Sequence, residues 1–270
     1  MAKKRQRWVV KLGSGILTTR KGRIDLSQIR HLADQIAKLK KKDVEIIVVS
    51  SGAVSSGMTL MGLEQRPTKT EALQACATIG QPVLMKSYQN AFAKHELYVA
   101  QILLTYWDLD SRKLYQNTQT TLEYLLGLGN CVPIVNENDA LSFEELEMLN
   151  RFGDNDRLSA HVALLTKADQ LVVLSSIDGL LSCPDATGEL IPWVPKVDSE
   201  LKKVAGTTQS QRSVGGMISK LDTADMMIKS SVPMILANGR RPDVLLDIFR
   251  GRAIGTLFSK KAPASEKGRK

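Results

Sequence analysis

Short apolar runs recur along the chain at Trp8–Val10, Ile46–Val49, Val99–Leu104, Val132–Val135, Leu171–Leu174 and Val232–Leu236. They are rich in Val and Ile, and each predicts a buried strand. The stretches between them carry a helical period. Leu26, Ile29, Leu32, Ile36 and Leu39 recur at spacings of three or four, behind Asp25 and Gln28 at capping-box positions. Further helices are predicted over roughly 70–94, 111–126, 155–167 and 217–230. Strand–helix alternation of this kind implies an α/β protein, a three-layer αβα sandwich around a mainly parallel sheet. No Gly/Ser/Pro linker divides the chain, and no internal repeat is present. Residues 142–153 are acidic and 182–214 poorly periodic, and both read as binding loops or lids.

Length and composition add that 270 residues, 43% apolar and 24% charged, suit one domain or two closely coupled halves. The formal charge of +9 would suggest a nucleic acid or anionic membrane partner if it were spread over the fold. It is concentrated at the ends: residues 1–7 and 259–270 each carry +4, leaving +1 for 8–258. The body therefore has no general affinity for polyanions. Cys76, Cys131 and Cys183 are odd in number and far apart, which predicts a reducing compartment, no disulfide framework and no zinc site. Trp8–Val10 is too short for a signal-peptide core, and nowhere do 18 apolar residues run together. The expectation is a cytoplasmic, non-membrane protein.

Ligands of open parallel sheets bind beyond the carboxyl ends of the strands, so the residues after each apolar run are the candidates. Lys11-Leu12-Gly13-Ser14-Gly15 follows the first. It reads either as a glycine-rich cradle with a lysine for phosphate oxygens, or as a turn with a solvated lysine. Ser50-Ser51-Gly52-Ala53-Val54-Ser55-Ser56-Gly57 follows the second and presents amides and hydroxyls, although small residues also serve helix-on-sheet packing. Asn136-Glu137-Asn138-Asp139 follows the fourth, and a buried strand ending in four polar side chains calls for a ligand or a polar network. Gly153-Asp154-Asn155-Asp156 opens a helix with more polar groups than capping requires. Val214-Gly215-Gly216-Met217-Ile218-Ser219-Lys220 opens another and would suit a second phosphate contact. The chain has no P-loop, dinucleotide fingerprint, protein-kinase set or nucleophile elbow, and His31, His95 and His161 lack ligand-spaced partners.

Taken together, VVKLGSGIL (9–17), VVSSGAVSSG (48–57), PIVNENDA (133–140), FGDNDRLSA (152–160) and VGGMISK (214–220) resemble the glutamate 5-kinases of the amino acid kinase superfamily. The resemblance covers 8–258, with 1–7 and 259–270 as charged tails and the halves meeting near 168 and 169, glutamate first and nucleotide second. It ends on GTLF (255–258), as a short form without the PUA domain that many members add. It implies transfer of the γ-phosphoryl of ATP to the side-chain carboxylate of L-glutamate, the first step of proline synthesis. By the same resemblance Lys11 and Lys220 contact the phosphates and Asp156 holds both. Ser51, Asp139 and Asn155 bind glutamate, with Asp139 suited to the α-ammonium. Lys11, Gly13, Ser14, Ser175, Ser176, Val214, Gly215, Gly216, Met217, Ile218, Ser219 and Lys220 line the nucleotide, which carries Mg²⁺. The family further implies a homo-oligomer, dimer or tetramer, inhibition by proline, and a link to glutamyl phosphate reductase. After the fifth strand, members commonly read Thr-Asp-x-x-Gly-Leu-Tyr, whereas this chain reads Ser175-Ser176-Ile177-Asp178-Gly179-Leu180-Leu181, so an acidic nucleotide contact is replaced by Ser176. Acetylglutamate and uridylate kinases usually carry a glycine-rich motif where Ser51-Gly52-Ala53 stands here. A silent ligand-binding module is disfavoured by Lys11, Asp156 and Lys220, and an RNA-binding reading rests only on the tails.

Overall fold

The computed structural model describes residues 5–19, 22–141, 155–183, 188–206 and 216–263. The chain begins with β1 (Gln6–Leu12), α1 (Ser14–Leu17), α2 (Leu26–Lys40), β2 (Val44–Ser50), α3 (Ala53–Leu60) and α4 (Thr70–Ala93). It continues through β3 (Tyr98–Leu104), α5 (Tyr106–Asp110), α6 (Arg112–Gly127), β4 (Cys131–Glu137), α7 (Asn155–Leu165) and β5 (Gln170–Ser175). It closes with β6 (Trp193–Val194), α8 (Ser199–Gly206), α9 (Met217–Lys229), β7 (Met234–Asn238), α10 (Val244–Phe249) and β8 (Thr256–Phe258).

One sheet runs in the order β3-β4-β2-β1-β5-β7-β8-β6, with every neighbouring pair parallel except β7 and β8. Side chains alternate across it, as the pleat requires. Trp8, Val10 and Leu12 of β1 enter one apolar layer with Ile29, Leu32 and Ile36 of α2, Leu84 and Phe92 of α4, and Val244 of α10. Val9 enters the other layer with Leu122 of α6, Leu158 and Val162 of α7, and Leu221 and Met227 of α9. The expected αβα sandwich is therefore present, with helices on both faces. Among the described residues no helix is long and apolar enough to cross a membrane.

The six apolar runs all contribute to strands, the last displaced toward its carboxyl end. Pro233 has no N–H for a ladder, and its carbonyl accepts from the Leu171 amide at 3.0 Å just before β7 begins. The capping box expected at α2 is half realised: Asp25 accepts from the Gln28 amide at 3.1 Å, but the Gln28 side chain donates to the Gly239 carbonyl at 2.6 Å instead of turning back. The amino-terminal tail is shorter than charge alone suggested. Gln6 and Arg7 belong to β1, and the Arg7 guanidinium donates to Glu45 of β2 at 2.7 Å and to Glu123 of α6 at 2.5 and 2.9 Å.

Two glycines fix the acceptor-side helices. A Cβ at Gly57 of α3 would stand 1.8 Å from the Cys76 carbonyl oxygen of α4, and one at Gly80 of α4 would stand 1.9 Å from the Ala53 carbonyl oxygen. The two backbones are therefore in direct contact. The small residues after the second strand serve helix-on-helix packing as well as the loop.

Gly80→Val should destabilise the protein by about 1–3 kcal/mol or more through overpacking. Gly127→Ala, at a helical position with nothing within 4 Å of the new Cβ, should stabilise by about 0.4–1 kcal/mol. Urea unfolding of both variants beside the parent checks the contrast.

Candidate functional site

A cleft opens beyond the carboxyl ends of β1, β2, β4 and β5. Here β1 and β5 are neighbours whose outgoing connections run in opposite directions, β1 toward β2 and β5 toward β6 and β7, the switch point where open α/β sheets bind ligands. Ten residues expected at the site line this cleft: Lys11, Gly13, Ser14, Ser51, Asp139, Asn155, Asp156, Ser175, Ser176 and Lys220.

Lys11 is the one charged residue in the second half of β1, and it shares the sheet face of Val9. That face looks at the start of α7 and the first turn of α9. Lys11 Nζ lies 2.6 Å from Asp156 Oδ1, and Lys220 Nζ lies 3.0 Å from Asp156 Oδ2. The Asp156 side chain is fully buried and the lysine side chains are 7% and 8% exposed. Burial pulls the Asp156 carboxyl upward, but attraction and hydrogen bonds from both lysines outweigh it and hold the group below the ordinary carboxylate value. Two ammonium groups around one carboxylate leave the triad with a net positive charge facing the cleft. In a low-dielectric wall such a charge attracts an anion strongly.

Gly13 clears the approach to this charge. Its amide donates to the Leu174 carbonyl of β5 at 3.1 Å, and a Cβ there would stand 3.4 Å from Lys11 Nζ. Ser176 reaches the same turn, since a Cβ at Gly15 would stand 3.5 Å from its Oγ. Arg240, after β7, donates to the Thr18 carbonyl at 2.8 Å and the Gly15 carbonyl at 3.3 Å, and pairs with Asp25 at 3.1 Å. The turn after β1 is thus fixed from both β5 and β7.

The rest of the cleft is polar, with Asp139 and Arg66 as its charged groups. Gly52, at φ +106, bends the chain sharply after Ser51, a conformation glycine adopts without strain. Ser51 Oγ accepts from Asn155 Nδ2 at 3.2 Å. Asn155 and Asp156, adjacent at the start of α7, therefore serve the two ends of the cleft. Asn136 near the end of β4 donates to Gln81 of α4 at 2.9 Å. The buried Oδ1 atoms of Asn136 and Asn155 accept no hydrogen bond among the described residues. Both suit an incoming donor. Burial in the cleft pushes the Asp139 carboxyl up to about 6, while the Arg66 guanidinium opposes the rise.

The glycine-rich run before α9 is only partly represented. Val214 and Gly215 lie outside the described residues, as do Gly153 and Asp154. Gly216 caps α9, Met217 packs into the apolar layer and Ile218 is 48% exposed. Gly216, Met217, Ile218 and Ser219 do not line this cleft, whereas Lys220 does. Successive helical residues point about 100° apart, so one turn sends its side chains to different environments. The three histidines lie elsewhere: His31 against Gln35, His95 on Asp34 at 2.7 Å, and His161 edge-on to Tyr106. Arg66, Asn136, Gly15 and Arg240 complete the surroundings, and of these only Asn136 belonged to a polar cluster visible after a strand. Among the described residues no group of three or more His, Cys, Asp or Glu side chains gathers as a metal ion requires. Asp156 itself is engaged by two ammonium groups.

An α/β sandwich with paired lysines at its switch point is the arrangement of a phosphoryl-handling enzyme, and this chain belongs to the amino acid kinase family, which it matches over residues 6–238. Within that family it is 42% identical over 257 residues to glutamate 5-kinase of Nitrosospira multiformis, covering 94% of this chain and 68% of that protein. It is 39% identical over 259 residues to glutamate 5-kinase of Clostridium perfringens, covering 95% and 96%. Among solved structures, UMP kinase from Bacillus anthracis aligns with a TM-score of 0.59 at 14% identity, over 96% of this chain and 98% of that one. N-acetylglutamate synthase from Neisseria gonorrhoeae aligns with a TM-score of 0.64 at 16% identity, over 95% and 62%. At such identities these two establish the fold.

Removing Asp156 leaves two buried like charges without their counter-ion, whereas removing one lysine leaves a neutral pair. Asp156→Ala should therefore cost about 3–5 kcal/mol of stability, and Lys220→Ala clearly less, both read by urea unfolding at neutral pH. Because the Asp156 carboxyl is held low, its contribution is present above about pH 4 and lost as the pH falls further. The gap between parent and Asp156→Ala should narrow in acid.

Proposed function

We propose that this kinase transfers the γ-phosphoryl group of ATP to the side-chain carboxylate of L-glutamate, giving L-glutamyl 5-phosphate and ADP in proline biosynthesis. The observation that carries the reading is the Lys11–Asp156–Lys220 triad, which lines one cleft together with Ser51, Asn155 and Asp139. Identity near 40% to glutamate 5-kinases over nearly the whole chain supports the acceptor.

Phosphoryl transfer is mainly positioning and charge stabilisation. Lys11 and Lys220 would neutralise charge on the transferring group from two sides, while Asp156 keeps both ammonium groups aimed. Gly13, Ser14 and the amides near Gly215 and Gly216 would line that group, and Ser175 and Ser176 the nucleotide. Ser51 and Asn155 would orient glutamate and Asp139 would take its α-ammonium. The attacking carboxylate is ionised at neutral pH, so no general base is needed. One of its oxygens forms the new bond to phosphorus as the bond to the ADP oxygen breaks. Magnesium would enter on the nucleotide phosphates.

Residues 8–168 would serve glutamate and 169–258 the nucleotide. The acyl phosphate product is labile, which fits delivery to glutamyl phosphate reductase. Proline shares the α-ammonium and carboxylate of glutamate, which supports inhibition at the same pocket. Exposed Tyr98 on edge strand β3, with Tyr124 on α6 and Leu128 just after it, supports a homo-oligomer. A cytoplasmic setting suits both substrates.

Purified protein with MgATP and hydroxylamine should release ADP and form a hydroxamate with L-glutamate, and far less with N-acetyl-L-glutamate or UMP. No turnover with any acceptor by folded protein would defeat the reading. Lys220→Ala should lower kcat by about 10²–10³-fold. In the free enzyme kcat/KM for glutamate should rise with pH through about 6, as Asp139 becomes the carboxylate that an ammonium needs. An Asp139→Asn enzyme should lack that rise.

A further inference from the structure

The cleft is bipolar, and one of its charges has no part in the reading above. Of the cations lining it, Lys11 and Lys220 are committed to Asp156. The third is Arg66, from the loop joining α3 and α4, and the remaining anion is Asp139, from the segment after β4. These two charges feel each other across the cleft, yet they do not pair directly, and neither makes a hydrogen bond among the described residues. Opposite charges lining one cleft that do not close on each other suit a molecule carrying both signs on one carbon. The Arg66 loop is also anchored at its ends: Gly57 on one side and Cys76 on the other are in backbone contact, and the Leu63 amide donates to the Met58 carbonyl at 2.9 Å.

We propose that Arg66 binds the α-carboxylate of the acceptor amino acid while Asp139 faces its α-ammonium, so that the two side chains select a free α-amino acid end group. This rests on the glutamate reading and specifies how that substrate is recognised. A guanidinium presents a planar fork that matches a carboxylate with two parallel hydrogen bonds, which a lysine ammonium does not. The triad lines the same cleft as the recognised end. A five-carbon dicarboxylate held there by its α-end directs its distal carboxylate toward Lys11 and Lys220.

The test compares the parent, Arg66→Ala and Arg66→Lys with glutamate, 4-aminobutyrate, which lacks the α-carboxylate, and glutarate, which lacks the α-ammonium. Each analogue is measured as a substrate or, where turnover is too slow, as a competitor of glutamate. Arg66→Ala should raise KM for glutamate about tenfold or more with KM for ATP unchanged, and Arg66→Lys should recover part of the loss. Affinity for 4-aminobutyrate should be the same in parent and Arg66→Ala, whereas glutarate should weaken. An unchanged KM for glutamate, or equal weakening toward glutamate and 4-aminobutyrate, overturns the assignment, since a merely structural arginine would not distinguish the two. A parent enzyme that gives no hydroxamate with glutamate removes the acceptor reading itself, a result separate from any effect at Arg66.

Discussion

The structure turns on one buried carboxylate. Asp156 has no exposed side-chain surface and is bonded by two lysines from elements far apart in sequence. A carboxylate so placed would be costly alone, and either lysine would be costly without it. Their positions are therefore interdependent: β1 must deliver Lys11 on the face toward α7 and α9, and α9 must start where Lys220 reaches the same group. Asn155, one residue earlier, then falls beside Ser51. A single helix start thereby sets the distance between the part of the cleft that holds net positive charge and the part that holds hydrogen-bonding groups.

The sheet makes this convergence possible. Parallel pairing sends the ends of β1, β2, β4 and β5 to one side, so residues separated by more than 100 positions meet there. The polar groups that end these strands would be a liability inside a core, and they are tolerated because they line an open cleft. Asn136 illustrates the compromise: one amide group is satisfied by Gln81, while the buried oxygen is left for a visitor.

The central strands and long helices were legible in the sequence because their apolar periods are set by burial on two faces. Elements of two to six residues, such as β6, β8 and α10, are too short to show a period, and tertiary pairing alone defines them. The strand-end rule led to Lys11, Ser51 and Asp139 because they stand at or just beyond the carboxyl ends of parallel strands, and all three line the cleft. It had no purchase on Arg66, whose loop joins two helices. Arg7 read as part of a basic tail because its neighbours are basic, and its partners Glu45 and Glu123 are 38 and 116 positions away. Of the run at 214–220, Lys220 lines the cleft, Gly216 to Ser219 do not, and Val214 and Gly215 lie outside the described residues. Gly57 announced small-residue packing but not its partner, which lies across the following loop.

The contact between α3 and α4 at Gly57 and Gly80 is chiefly backbone against backbone, with Ser56 Cβ as the one side-chain atom among the nearest neighbours. Side-chain contacts yield by changing rotamers, and so they cushion the movement of one helix before it reaches another. A peptide-on-peptide contact has no such give. The segment 51–55 and the 24 residues of α4 are thus mechanically one piece, and any force on the outer surface of α4 arrives at Ser51 undamped.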